Sequence, residues 1–358
     1  MTEKIDIKSL NFDELKALIS DMGGQTFRTE QIYKWLHQKA VASFDEMTNL
    51  SKDFREKLNN KYTITCLKPV KILTSKTDGT KKFLFQLEDG NVIESVLMKY
   101  HYGNSVCIST QAGCRMGCRF CASAINGLER NLTPSEMLEE VYRIQQLSEE
   151  RVSHIVLMGS GEPLDNYENV LKFIDLITDE KGQNISSRNI TLSTCGLVPE
   201  IYRLADEQRQ ITLALSLHAP DDETRKKLMP VANRYSIHEL LKACRYYFER
   251  TGRRISFEYS LVADINDNVS EAKKLSELLK GMNCHVNLIP VNPVEERSFQ
   301  RSKQKAVQQF RDFLAGRGIQ ATIRREMGSD IHGACGQLRK SYQETANRNM
   351  MDTKEGEI

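Results

Sequence analysis

The stretch NITLSTCGLVPEIYRLADEQRQITLALSL, residues 189–217, decides the fold. It opens and closes on short apolar, β-branched runs, 189–193 and 211–217, with a helix-forming segment over 198–207 between them. Runs of this kind suit strands buried on both faces of a parallel sheet. The alternation continues outward in both directions. Strands are expected near 104–110, 153–158, 254–262, 284–289 and 319–324, and helices near 134–148, 166–179, 236–251, 269–281 and 301–316. Two of the helix starts carry strong local signals. Thr133-Pro134-Ser135-Glu136 combines an N-cap threonine, a first-turn proline and a reciprocal glutamate, and Ser236 with Glu239 repeats the spacing. Such a βα repeat gives a parallel sheet or barrel, with chemistry in the loops at the C-terminal strand ends.

Toward the N-terminus the period changes. Residues 69–110 hold β-rich runs separated by Asp78-Gly79 and Asp89-Gly90, which are hairpin signals. Residues 1–62 read as three short helices. Asn11 caps the first with Glu14 in reciprocal position, Gly23-Gly24 breaks the chain, and 27–40 and 51–62 supply the others. With Trp35 they suggest a small accessory domain.

Composition sets limits. The chain has 358 residues, 40% hydrophobic and 27% charged, an ordinary globular balance. It has no apolar run of about 18 residues and no signal-peptide layout at its start, so no membrane partner and a cytoplasmic location are expected. The net charge of +2 does not announce nucleic-acid binding, and any basic surface must be a local patch. Nine cysteines, an odd number, argue against a disulfide framework.

Three of them stand in GCRMGCRFCAS as Cys114, Cys118 and Cys121. Three thiolates in one loop can ligate three irons of a cubane and leave the fourth open to a substrate or cofactor. A structural zinc site would want four protein ligands, and no equally close fourth follows. The loop also follows the first expected βα strand, where the barrel rule puts chemistry.

This spacing, with Phe120 before the third cysteine, is similar to the radical S-adenosylmethionine (SAM) motif. GSGEPL (159–164), LSTCG (192–196), LALSLHAP (213–220), LMPVANRY (228–235), NLIPVNP (287–293) and DIHGACGQL (330–338) follow in order. Together they resemble the bacterial dual-specificity rRNA/tRNA adenine-C2 methyltransferases over roughly 90–340. The fold class is then α/β. It is a partial (β/α)6 radical SAM barrel over 104–325, with an N-terminal helical domain (1–62), a β-meander linker (63–103) and a C-terminal segment (326–358) carrying Cys335 and a polar tail.

The resemblance implies a [4Fe-4S] cluster on Cys114, Cys118 and Cys121, and two SAM molecules per turnover. Gly161, Glu162, Ser193, Ser216, Leu217, His218 and Asn292 match positions that contact SAM, each at or just beyond an expected strand end. Cys335 matches the cysteine that takes a methyl group from the first SAM. A 5′-deoxyadenosyl radical made from the second removes hydrogen from that methyl, and the carbon adds to the adenine ring. Cys107 matches the cysteine that takes the ring proton and closes a transient disulfide with the match of Cys335, releasing product. Read alone, Cys107 would be core packing. Glu94 matches a candidate proton acceptor, with a solvent-facing strand glutamate as the alternative. Cys66, Cys195, Cys244 and Cys284 have no assigned role.

The implied partners are 23S rRNA, tRNA and a flavodoxin-type electron donor, with a monomeric enzyme. The rival readings are a ribosomal adenine-C8 methyltransferase, disfavoured by Pro163 after Glu162, and a non-catalytic RNA-binding iron–sulfur protein, disfavoured by Cys107 and Cys335 together. Two positions depart from the family pattern. Ser160 replaces a methionine and is expected only to pack. His332 replaces an aspartate three residues before Cys335, a change that bears on the environment of that thiol. Candidate phosphate contacts are Lys81-Lys82, Arg115, Arg119, Arg130, Arg253-Arg254, Arg324-Arg325 and Arg339-Lys340.

Overall fold

The computed structural model describes residues 4–292, 294, 297–334 and 336–337. Cys335, Arg339-Lys340 and the polar tail lie outside them.

The N-terminal segment contains β1 (Ile5–Asp6), α1 (Phe12–Asp21), α2 (Thr26–His37), α3 (Lys52–Lys61) and β2 (Tyr62–Thr63). The Asn11–Glu14 capping box is formed, and Ile7, Leu15, Ile19, Ile32, Leu36 and Leu58 build a core of their own. The segment is not purely helical, because β1 pairs in parallel with β2 and closes its two ends together.

Next come β3 (Lys68–Thr74), β4 (Lys81–Gln86), β5 (Val92–Tyr100) and β6 (Gly103–Cys107). The two Asp-Gly turns form because each aspartate caps its own bend: Asp78 accepts from Thr80 N at 2.9 Å and Asp89 from Asn91 N at 2.9 Å. The first barrel strand, expected to reach residue 110, ends at Cys107. The chain then leaves the main sheet, and β7 (Gln111–Gly113) pairs antiparallel with β8 (Leu128–Asn131) around the cysteine loop.

The repeat follows as α4 (Pro134–Ser148), β9 (Val152–Leu157), α5 (Tyr167–Thr178), β10 (Ile190–Thr194), α6 (Val198–Asp206) and β11 (Thr212–Ser216). It continues through α7 (Asp222–Leu228), α8 (Ile237–Thr251), β12 (Ile255–Leu261), α9 (Val269–Leu278), β13 (Cys284–Pro290), α10 (Gln304–Gly316) and β14 (Gln320–Ile323). Helix α7 was not expected from sequence.

One sheet runs in the order β14-β13-β12-β11-β10-β9-β6-β5-β4-β3. The strands from β6 to β14 in it are parallel, and β3 to β5 extend it antiparallel. Six helical crossovers thus join seven parallel strands. Among the described residues β14 pairs only with β13, so the barrel stays open. The meander is a continuation of the barrel sheet, not a separate layer.

One buried ion pair ties the two cores together. Lys8 is fully buried, donates to the carbonyls of Val41 and Thr65, and pairs with buried Glu139 on α4. Glu139 also accepts from Leu67 N and Arg143.

Candidate active site

The cysteine loop is set by the β7–β8 hairpin. Cys114 N donates to Gly127 O at 2.8 Å. Gly113 must be glycine there: its φ is +78°, and a Cβ would lie 2.1 Å from Gly127 O. A tight turn, Cys121 N to Cys118 O at 3.1 Å, brings the last two cysteines together.

All three cysteines line a cleft, open to solvent, at the C-terminal ends of the parallel strands. Gly161, Glu162, Ser193, Ser216, His218 and Asn292 line the same cleft. Leu217 does not: it is fully buried in the main core, and its carbonyl accepts from Arg225 Nε at 3.1 Å.

The donor set fits an iron–sulfur cluster. Burial pushes the Cys114 thiol up to about 12 and Cys118 well above its ordinary value, and the other cysteines raise both further. Without a metal these are neutral thiols; coordination is what makes such groups thiolates. No three side chains among the described residues converge on a single metal ion. A cubane needs no such convergence, since each thiolate takes a different iron. Arg225 adds a second mark. It is fully buried, its Nη1 has no hydrogen-bond partner among the described residues, and its charge acts on Cys118 and Cys195. A net-negative group beside these thiols would answer that cation.

Gly161 holds φ +106°, and a Cβ there would meet Gln111 Cβ at 2.7 Å, so the chain passes the cleft wall without a side chain. Glu162 is buried, and its carboxylate is already engaged. Oε1 accepts from Leu164 N at 3.1 Å and Oε2 from Cys195 N at 2.7 Å. It therefore locks the β10 loop to its own, and only its remaining lone pairs face a ligand. Burial nevertheless leaves its pKa raised against these donors. His218 adopts φ +57°. Its Nδ1 accepts from Ser260 N at 2.9 Å, so the Nε2–H tautomer is fixed. Burial drives its pKa down to about 3, so the ring is neutral. Phe120 packs edge-on against it, centroids 4.9 Å apart.

Ser160 does more than pack. Its hydroxyl donates to Gly113 O at 3.3 Å, and its carbonyl accepts from Thr110 N at 2.8 Å. It thus joins the glycine motif to the cysteine hairpin. Sequence reasoning missed Glu258, which lines the cleft from β12 and holds Ser256, Asn287 and, at 3.8 Å, Arg324. Its signal was a lone glutamate inside the apolar run ISFEYSL. Cys195, given no role, lines the cleft beside Glu162.

A second chamber adjoins the first through Met158, Ile289, Asn292 and Arg324. Cys107 lines it, at the end of β6, with Met98 and Tyr100. Ala334 lines this chamber and Gly336 the first. Glu94 lines neither. It is buried in β5, with Lys82 Nζ at 3.4 Å, so it is not a solvent-facing strand residue.

The C-terminal loop is clamped by the β3–β4 turn. Gly328 N donates to Asp78 Oδ2 at 2.9 Å, Lys76 N to Asp330 Oδ2 at 2.9 Å, and Lys82 Nζ to His332 O at 3.2 Å. The His332 side chain is exposed. Partial burial pushes the Asp78 carboxyl up, but the N–H groups of Gly328 and Thr80 outweigh it and hold the pKa near about 2. Its folded value lies below the ordinary 3.8, so the contribution of Asp78 to the clamp is at full strength above pH 3.8 and is lost as pH falls through about 2. Asp78→Ala is expected to raise hydrogen exchange across 328–333 and lower turnover several-fold, with little change in melting temperature. Unchanged exchange would remove the clamp.

The basic candidates separate by position. Lys82 is buried and cannot reach a phosphate. Arg253 and Arg254 precede β12, at the end of the sheet opposite the cleft. Arg130 is held by Asp89 and Glu136, and Arg115 by Asp165. Arg324 and Arg325 follow β14 and line the second chamber with Arg301.

Comparison with known proteins agrees with this arrangement. Residues 5–64 match the ribosomal RNA large subunit methyltransferase N-terminal domain, and residues 108–279 match the radical SAM superfamily. The chain is 60% identical over 339 residues to a probable dual-specificity RNA methyltransferase RlmN of Lachnospira eligens, covering 95% of this chain and 97% of that one. It is 62% identical over 342 residues to the corresponding protein of Lachnoclostridium phytofermentans, covering 96% of each. A crystal structure of a radical SAM methyltransferase from Sphaerobacter thermophilus superposes with a TM-score of 0.90 at 42% identity, covering 94% of this chain and 99% of that one. With both the N-terminal segment and the cysteine-bearing barrel matched along nearly the whole chain, the protein belongs to the RlmN family of radical SAM RNA methyltransferases.

Proposed function

We propose that this enzyme methylates carbon 2 of adenine in 23S rRNA, at the peptidyl transferase centre, and in tRNA, at the adenosine 3′ of the anticodon. Cys114, Cys118 and Cys121 hold a [4Fe-4S] cluster. Gly161, Glu162, Ser193, Ser216, His218 and Asn292, with the Leu217 backbone, seat SAM beside it. When bound, the cluster supplies the electron that splits SAM to a 5′-deoxyadenosyl radical. Cys335 carries the methyl group between two SAM-dependent events, so two SAM molecules serve each turnover. Once the ring radical has returned the one electron that the cluster supplied, Cys107 takes the proton from the substituted ring carbon. Its sulfur then bonds to that of Cys335 as the carbon–sulfur bond breaks, and the freed methylene takes up a proton to become the methyl group of the product. Glu94 acts at most by shaping this region through Lys82, since it lines neither chamber. The neutral His218 offers only an N–H donor from Nε2 and keeps positive charge away from the sulfonium.

One observation carries this reading: the residues flanking Cys335 line different chambers, Ala334 that of Cys107 and Gly336 that of the three cysteines. The proposed route requires one thiol to serve both. Among the described residues no helix is long and apolar enough to cross a membrane. We place the reaction in the cytoplasm, as a monomer reduced by a flavodoxin-type donor.

The test is an anaerobic reaction of reconstituted enzyme with methyl-deuterated SAM, a reductant and ribosomal or transfer RNA, read by nucleoside mass spectrometry. The expected product is 2-methyladenosine that has lost one deuterium. 8-Methyladenosine would overturn the ring position and keep the cysteine route. Full retention of deuterium would overturn that route.

A further inference from the structure

The second chamber has an aromatic lip that the methyl transfer itself does not use. β5 ends at Tyr100, and the chain turns through His101 and Tyr102 into β6. The rings of Tyr100 and Tyr102 are stacked, with centroids 5.0 Å apart and planes 6° from parallel. His101 and His154 brace Tyr102 at steep angles, each with a centroid 5.1 Å away. Even so, Tyr102 is 55% exposed. Tyr100, the inner ring, lines the chamber of Cys107, and its hydroxyl donates to Met98 Sδ at 3.6 Å. Two parallel rings therefore connect the chamber wall to solvent.

The surroundings fit a nucleic-acid strand. Arg301, Arg324 and Arg325 line the same chamber with a single carboxylate, Glu326, which pairs with Arg301 at 2.6 Å. An enzyme that modifies a ring carbon draws its base out of the stack. That leaves the neighbouring base with a bare face, and unpaired bases are commonly held by stacking on aromatic side chains.

We infer that the Tyr100–Tyr102 pair is a stacking platform for the unpaired RNA base next to the reacting adenine, with Arg325 beside the connecting phosphate. The inference rests on the reading that the chamber of Cys107 receives the reacting adenine. Tyr102 is a positioning residue: it acts by fixing the strand, not on the reacting atoms.

The test uses the full-length holoenzyme and substrate stem-loop RNAs carrying 2-aminopurine on the 5′ or the 3′ side of the reactive adenosine. Wild type is expected to quench one of the two probes on binding. Tyr102→Phe should match it, and Tyr102→Ala should abolish the quenching. Loss of one stacked base should raise the KM for RNA about tenfold in Tyr102→Ala, with kcat and melting temperature unchanged. If the alanine variant unfolds, Tyr102→Leu, which keeps apolar cover over Tyr100, is expected to give the same loss of quenching. Quenching of neither probe by wild type, or equal quenching by wild type and the alanine or leucine variant, overturns the platform. Binding is read without turnover, so a product methylated at C8 would overturn the ring position and leave the platform standing.

Discussion

Replacing Cys335 with alanine is expected to leave no methylated nucleoside above background, while SAM is still reductively cleaved. Under the proposed route the methyl group travels on this sulfur, so without it no carbon is presented to the ring. Serine should not restore activity, because a hydroxyl is a far weaker nucleophile toward a sulfonium methyl at neutral pH. Cys107→Ala should fail differently. Cys335 would still take the methyl group and join it to the ring, but the C–S bond could not be released as a disulfide. RNA and protein should then run as one species on a denaturing gel until protease frees the RNA. Normal methylation by the alanine variant at 335 would sink the route, and absence of the joined species in the variant at 107 would remove Cys107 from it.

Arg225→Ala is expected to destabilise the fold by about 3–5 kcal/mol, because three carbonyls lose their buried donor at roughly 1–3 kcal/mol each. The guanidinium donates to Cys195 O at 2.6 Å, Ser216 O at 3.1 Å and Leu217 O at 3.1 Å, and it is fully buried. These carbonyls sit at the ends of β10 and β11, so one side chain stitches together two loops of the cleft. Hydrogen bonds from a charged donor contribute roughly 1.5–3 kcal/mol each. Against a total stability of about 5–15 kcal/mol the loss is severe. Lysine should not rescue it, because one ammonium cannot match the planar fork across two strands. Urea unfolding measures the loss, and iron content after reconstitution should fall with it. A variant within about 1 kcal/mol of wild type would show that solvent or a rearranged backbone satisfies those carbonyls.

What the sequence disclosed follows the range of the forces involved. Helix α4 was expected over 134–148 and forms there, because its start is fixed within four residues by Thr133, Pro134 and Glu136. The buried strands were legible to within a residue or two at most ends because their apolar content is local. Helix α7 was not: DETRKKL reads as a solvated charge run, and one of its two buried anchors is the guanidinium of Arg225, whose partners lie on other strands. The β7–β8 hairpin was missed because its strands are short and its close contact, Gly113 against Gly127, is between backbones. In the site, the motif residues that the structure describes line the cleft, apart from Leu217 and Glu94 in the core and Cys107 in the neighbouring chamber, while Cys335 lies outside the described residues. Arg225, Glu258 and the Tyr100–Tyr102 stack belong to no local pattern, and only the folded chain brings them to the cleft and its neighbouring chamber.

The ion pair between Lys8 and Glu139 spans 131 positions of sequence. During vectorial synthesis the ammonium emerges long before its carboxylate exists. Until α4 arrives, sealing Lys8 into the N-terminal core would leave a desolvated cation with only carbonyl partners, an unfavourable state. The first sixty-odd residues therefore have a reason to stay unsealed on the ribosome until the barrel's first crossover helix has been made.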